Sequence, residues 1–381
     1  MPSMEDRDEA MPTADVLRRR LVTGAALAGA GALAASTARP AHAEGGGRGS
    51  AQHAQPPVLR PGDDWSEVLA HTAQVQLVGG GIYTLRSPVE LPDGARIQGN
   101  GAIVTTADTS RGAFVVDGVS DVVISDVRFQ GEDAGGAHPG RIDVPFASEH
   151  VAVRIRRSTN VRILDCDLVG WRGAGVVLTG STADDYFSYG HRISGCRFAR
   201  CSIGVSAADR AEFSTIEGSF FTACRLAVWQ SAGNWTLSGC IIVGCYGSYY
   251  SIAATSPYGQ ADSDNWNHGT LVGCTLNHSN AGAKEVWARH LEMQIGGERR
   301  DPGRGVVIEG LLPPTTTGCT LWYTDVRGSG LQGSGWTLTG CTLSDLTITG
   351  EGEVPIRLVG HQANSGDHAP QLVGAVEDVL A

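Results

Sequence analysis

From Val123 onward the chain repeats a short pattern of apolar and polar positions. An apolar residue and a free position are followed by Gly or Asp, then Cys, another free position and an apolar residue. Ile163-Leu164-Asp165-Cys166-Asp167-Leu168, Ile193-Ser194-Gly195-Cys196-Arg197-Phe198 and Leu237-Ser238-Gly239-Cys240-Ile241-Ile242 show it in full. Related stretches surround Asp126, Gly218, Gly273, Gly318 and Gly340, with Val127 and Ser219 standing in for Cys in two of them and Thr316 for an apolar residue in a third. The shortest spacings are 21 residues from Ser219 to Cys240, 22 from Cys319 to Cys341 and 23 from Cys196 to Ser219. Alternation of period two within each stretch predicts strands, and a repeat near 22 residues is what one turn of a three-sided β-helix requires.

The position before Cys is Gly in six of the eight stretches and Asp in the other two, Asp126 and Asp165. A corner there needs a left-handed backbone, which glycine adopts freely and Asp or Asn tolerate best among the rest. Asp165 is therefore expected to turn the chain, although Asp165 and Asp167 look like a catalytic carboxylate pair. The nine cysteines take the same logic: Cys166, Cys196, Cys240, Cys274, Cys319 and Cys341 stack as one interior ladder, and Cys201, Cys224 and Cys245 as another. Side chains stacked in parallel on adjacent coils do not face one another as a disulfide requires, so buried free thiols are expected. No Cys-x-x-Cys pair occurs, which speaks against a zinc site.

This repeat resembles the pectin-lyase-like superfamily of right-handed parallel β-helices. The stretch Asp63-Asp64-Trp65, Gly79-Gly80-Gly81-Ile82-Tyr83 and Leu91-Pro92-Asp93-Gly94 looks like the entry segment of many of its polysaccharide lyases, glycosidases and phage tailspikes. The resemblance covers roughly residues 60 to 365 and implies a single all-β solenoid with loop insertions that handles carbohydrate. Polygalacturonase-type signatures are incomplete, with only Asp184-Asp185 and Gly190-His191-Arg192 suggestive, and those of classical pectate lyases are absent.

The first residues read as an address. Arg18-Arg19-Arg20-Leu21-Val22 and the Ala/Gly-rich run after it resemble a twin-arginine export signal, with cleavage expected after Ala41-His42-Ala43. Residues 1–43 are thus assigned to a signal peptide, 44–59 to a flexible linker and 60–381 to the β-helix, giving a secreted, extracellular protein. The formal net charge of −11, with Lys284 the only lysine among 29 basic residues, argues against nucleic acid and anionic membranes as partners. A carbohydrate polymer or oligosaccharide fits better, and a tailspike-like homotrimer is the oligomer the resemblance allows.

Coils longer than the basic period eject the excess as loops, and loops on a rigid scaffold are where binding and catalysis concentrate. Four are expected: 131–148, 181–190, 252–268 and 279–312. The second carries Asp184, Asp185, Tyr186, Tyr189 and His191, and the third Tyr258, Asp262, Asp264, Trp266 and His268. Carboxylates beside aromatic rings suit a sugar site, the rings stacking on the pyranose and the acids moving protons. The leading expectation is a glycoside hydrolase or glycan-transforming transferase with these two loops, three coils apart, sharing one side of the helix. The fourth loop, with Lys284, Trp287 and Arg289, offers a polysaccharide lyase instead, the one reading in which Ca²⁺ would enter; otherwise no cofactor is expected. A non-catalytic glycan-binding or structural β-helix is the third reading.

Overall fold

The computed structural model describes residues 55–132, 146–252, 256–259, 268–279, 293–295, 298–300, 304–309 and 313–379. The predicted signal peptide lies outside these residues, as do Asp262, Asp264, Trp266, Lys284, Trp287 and Arg289. The chain winds into a right-handed parallel β-helix with three strands to a coil. One coil consists of Arg162–Leu164, Asp167–Val169 and Ala174–Thr179; the next repeats it with Arg192–Ser194, Arg197–Ala199 and Ile203–Ala208. Registers are parallel and unshifted between them, Ile163 opposite Ile193, Leu168 opposite Phe198 and Val176 opposite Val205. Successive coils thus generate a first, a second and a third sheet. The first two merge into one 22-stranded sheet, because Arg96–Thr106 and Val123–Gln130 run unbroken through the corner between them. The third sheet has 11 strands.

The corner between the first and second sheets obeys the repeat. All eight expected positions are left-handed, with φ between 52° at Asp126 and 65° at Gly195, and Gly360 adds a ninth at 57°. Asp165, at φ 52°, is such a corner residue. Immediately after the corner, each cysteine turns inward. All nine are buried free thiols. Cys196 Sγ, for example, lies 3.4 Å from both Ser194 O in its own coil and Ile163 O in the previous one. Burial pushes the Cys201 and Cys224 thiols well above their ordinary value, which keeps them protonated and inert.

At the N-terminal end a short helix, Trp65–His71, is started by Asp64, whose carboxylate accepts the Ser66 N–H at 2.8 Å. Its Trp65 ring meets Tyr83 and Phe114 edge-on, at 5.8 and 5.3 Å, and covers the first coils. At the other end the sequence repeat weakens after Gly360, but the coils continue through Gln371–Gly374 and Val376–Val379. There the interior columns turn polar. His361 follows corner Gly360 where earlier coils place Cys, and Asp378 stands opposite Leu358 in the apolar column of the first sheet. Their Nδ1 and Oδ1 atoms are 3.6 Å apart.

The expected loop 279–312 is not a single excursion. Gly305–Glu309 within it is a full strand of the third sheet, paired with Gly247–Ile252, and Met293–Ile295 pairs antiparallel with Glu298–Arg300. Val306-Val307-Ile308 is a short apolar run without a Cys corner before it, so the corner pattern alone passes over it.

Candidate functional site

The middle of the third sheet differs from the other two sheets in having both faces covered. Strands of the first two sheets alternate buried and partly exposed residues, whereas Ala174–Thr179, Ile203–Ala208 and Leu226–Gln230 are buried at every position. Their inward residues, such as Val176, Val205 and Val228, join the main core. Val151, Ala174, Val177, Ile203, Leu226, Trp229, Tyr250 and Val307 form a separate apolar cluster. One outward row can be followed coil by coil through the ladder: Arg154, Val177, Ser206, Trp229, Tyr250, Val307 and Arg327. At about 4.8 Å per coil, its six steps span about 29 Å.

The row has charged ends and an aromatic middle. Arg154 donates to Ser148 O at 3.0 Å and pairs with Glu149 at 3.2 Å, and Arg327 lies 2.9 Å from Glu309 and 3.6 Å from Glu351. In the middle, the Trp229 and Tyr250 rings are 5.7 Å apart and inclined at 59°. Tyr258 packs against the same cluster, with Phe146 6.2 Å away and the Arg154 guanidinium 5.6 Å from its ring centre. Burial raises the Tyr258 hydroxyl well above its usual range, so it stays protonated. Three polar atoms here, Ser206 Oγ, Trp229 Nε1 and Tyr258 Oη, are buried and have no hydrogen-bond partner among the described residues. A buried polar group left unpaired costs about 1–3 kcal/mol, so these three make the covered face less stable than a fully paired one.

The two loops singled out in the sequence both leave from the end of this sheet. Loop 181–190 follows Ala174–Thr179, loop 252–268 follows Gly247–Ile252, and the two strands are three coils apart. The described part of the later loop, 256–259, reaches back across that gap. A methyl group placed on Gly259 would lie 2.9 Å from Asp209 Cβ and 3.5 Å from Thr179 Cγ2, and Asp209 in turn accepts the Thr182 N–H at 2.7 Å. The loops therefore meet on one side of the helix.

Within loop 181–190 the acids are held by arginines. Asp184 hydrogen-bonds Arg157, whose guanidinium sits 4.9 Å from the Tyr186 ring centre. Bonds from Ser181 and Arg157 hold the Asp184 carboxyl below its usual range. Asp185 lies 3.2 Å from Arg210, which covers the Phe187 ring at 4.9 Å. Tyr189 is half exposed at the mouth of the next corner. His268 begins the strand Gly269–Val272, and its carbonyl accepts the Asn234 N–H at 2.6 Å. His191 does not join the others: it is buried inside the coil, where burial lowers its pKa to about 4.

A family model described as Adenovirus EB1 55K protein / large t-antigen matches residues 52–254, more than half of the chain. The chain belongs to this family. The part that matches the EB1 55K model contains loop 181–190 and the outward row from Arg154 to Tyr250. No curated protein sequence matches the chain.

Among solved structures, the pre-mature bacteriophage phi29 gene product 12 is 13% identical with a TM-score of 0.51, over 83% of this chain and 49% of that one. This chain thus spans about half of the phage protein. The A-module of the Azotobacter vinelandii mannuronan C-5 epimerase AlgE6 is 11% identical with a TM-score of 0.46, over 81% of this chain and 91% of that one. An alginate lyase from Paenibacillus sp. str. FPU-7 is 11% identical with a TM-score of 0.41, over 85% of this chain and all of that one. What the chain shares with the phage protein is the fold, a parallel β-helix.

The residues that sequence reasoning missed are Arg154, Arg157, Ser206, Arg210, Trp229 and Tyr250. One signal pointed to them. Stretches such as Ala174-Gly175-Val176-Val177-Leu178 and Leu226-Ala227-Val228-Trp229 are apolar throughout, the mark of a parallel strand covered on both faces.

Proposed function

We propose that this protein is an exported carbohydrate-active β-helix that binds a polysaccharide or oligosaccharide where loops 181–190 and 252–268 meet at the end of its third sheet. The observation that carries the reading is the meeting of the two loops on one side of the helix, with the accessible carboxylates of Asp184 and Asp185 beside the Tyr186 and Phe187 rings. A sugar offers hydroxyls to such carboxylates and C–H faces to such rings. The arginines beside the loops, Arg157 and Arg210, are already paired with Asp184 and Asp185, which favours an uncharged glycan over a polyuronate. Export rests on the twin-arginine pattern, and the family match begins at residue 52, after the expected cleavage point.

The chemistry in this reading is hydrolysis or glycosyl transfer by two carboxyl groups. Asp184, held ionised by Ser181 and Arg157, acts as base or charge stabiliser. The proton donor comes from Asp262 or Asp264 on the opposite loop. A panel of neutral and acidic polysaccharides, assayed with Asp184, Asp185, Asp262 and Asp264 each changed to Asn, tests it. Loss of turnover of a hundredfold or more is expected for Asp184 and for one of the later pair. Full activity in all four variants would remove this site. An unsaturated, ultraviolet-absorbing product abolished by Lys284→Ala or Arg289→Ala would establish the lyase reading instead, and binding without turnover would establish a non-catalytic β-helix. The Arg157–Asp184 pair is about half exposed at both partners, so Asp184→Asn leaves stability close to the wild type's and its effect on activity is readable.

A further inference from the structure

The corner between the second and third sheets is also left-handed, at Gly170, Arg200, Ala223, Gly244, His278, Tyr323 and Asp345. Toward the C-terminal end, where glycine would serve with least strain, the chain places a His, a Tyr and an Asp. A bulky residue in this conformation costs on the order of 1–2 kcal/mol. That strain has a geometric result. In a regular strand Trp322 and Tyr323 would point to opposite faces, but the φ of 49° at Tyr323 turns both outward. Their rings stack at 5.6 Å and 18°, and Tyr323 faces His278 of the previous coil at 5.2 Å.

Trp322 is 44% exposed, whereas Trp171, Trp229, Trp235 and Trp336 are 1% exposed or less. Its ring is nevertheless fixed in place. The indole N–H donates to Asp345 Oδ2 at 3.0 Å, and Asp345 is held in turn by the Ser344 hydroxyl at 2.6 Å and His368 Nδ1 at 2.6 Å. One step along the ladder, opposite Trp322, stands Asn277, whose Oδ1 is buried with no partner among the described residues. An aromatic stack that served packing alone would be covered. This one is strained, oriented and open.

We propose that Trp322, Tyr323 and His278 form a second, non-catalytic subsite that holds an uncharged glycan chain, with the sugar's C–H face on Trp322 and a hydroxyl donated to Asn277 Oδ1. The platform lies at a different corner from loops 181–190 and 252–268, and shares with the third-sheet site only the class of ligand. A chain held here keeps the protein on a polymer between encounters at the other site.

Affinity electrophoresis of the full mature chain tests it, in gels containing soluble β-1,3-glucan, xylan or galactomannan, with alginate as the polyanionic control. The wild type is expected to be retarded by at least one neutral polymer, and Trp322→Ala to weaken that retardation at least tenfold. Tyr323→Gly separates binding from folding, since it removes a ring and relieves a strained backbone: retardation should fall while the melting temperature holds or rises. Retardation lost with Trp322→Ala reports on this platform alone, so a failure of the reading at loops 181–190 and 252–268 remains distinct. Equal retardation of wild type, Trp322→Ala and Tyr323→Gly in every gel overturns the proposal, as does no retardation of the wild type by any neutral polymer.

Discussion

Ser188 Oγ lies 3.0 Å from His191 Nε2, the distance of a nucleophile from its base, yet both side chains are buried within the coil. The remaining bonds explain the pair. Val161 N–H donates to His191 Nδ1 at 3.3 Å, which leaves the ring proton on Nε2 for Ser188, and the Ser188 hydroxyl donates its own hydrogen bond to Ser158 O at 2.8 Å. This chain staples one coil to the previous one and needs a neutral imidazole. His150 is arranged alike, accepting Arg172 N–H on Nδ1 at 3.1 Å and packing on Trp171 at 4.5 Å.

Burial lowers both histidines from 6.5 to about 4. The unfolded chain then binds protons first, so the stabilisation is complete above pH 6.5 and is lost as pH falls through 4. Each histidine contributes about 3 kcal/mol to that loss. Urea unfolding at pH 7, 5.5 and 4 should show stability falling steeply, with a shallower slope in His191→Gln. An unchanged slope in that variant would refute the assignment.

Gly195 and Gly239 occupy equivalent corners at φ 65° and 58°, but their surroundings differ. A Cβ at Gly239 meets nothing within 4 Å, whereas one at Gly195 comes within 2.3 Å of Asp165 Oδ1. Gly239→Ala should cost about 1–2 kcal/mol from the backbone alone, and Gly195→Ala about the same, because the exposed Asp165 carboxylate can rotate away. Chemical denaturation of the two variants side by side checks that the costs match.

Ser206 should be more stable as alanine. Its hydroxyl is buried without a partner among the described residues, so Ser206→Ala removes a desolvated group and is expected to stabilise the protein by about 1 kcal/mol, with turnover unchanged. Urea unfolding of the two proteins measures it, and a destabilised variant would mean that the hydroxyl is paired.

The cysteines offer a direct count. Under non-reducing conditions a thiol reagent should find none of the nine reactive in the native protein and all nine after unfolding. Fewer than nine in the unfolded chain would mean disulfides.

The sequence was most legible where one backbone angle admits few residue types. Gly195, Gly239 and Asp165 mark their corner because little else is tolerated there. The other corners were silent, since Arg200, Ala223 and Phe213 adopt the same left-handed turn without belonging to the types that signal it. His191 stood beside Asp184 and Asp185 in a promising loop, but nothing local records that the chain re-enters the core at Ser188. The outer row of the third sheet was hidden for another reason. Trp229 and Tyr250 read as ordinary core residues, and only the register shows that they point away from the main core.

The coils rise by a constant step, so the separation between loops 181–190 and 252–268 is a whole number of repeats. Adding or deleting one coil between them would leave each loop's chemistry intact and move them apart or together by a single rung. The solenoid is thus a ruler graduated in integers, and the span between the two loops is open to change by duplication without redesign of either one.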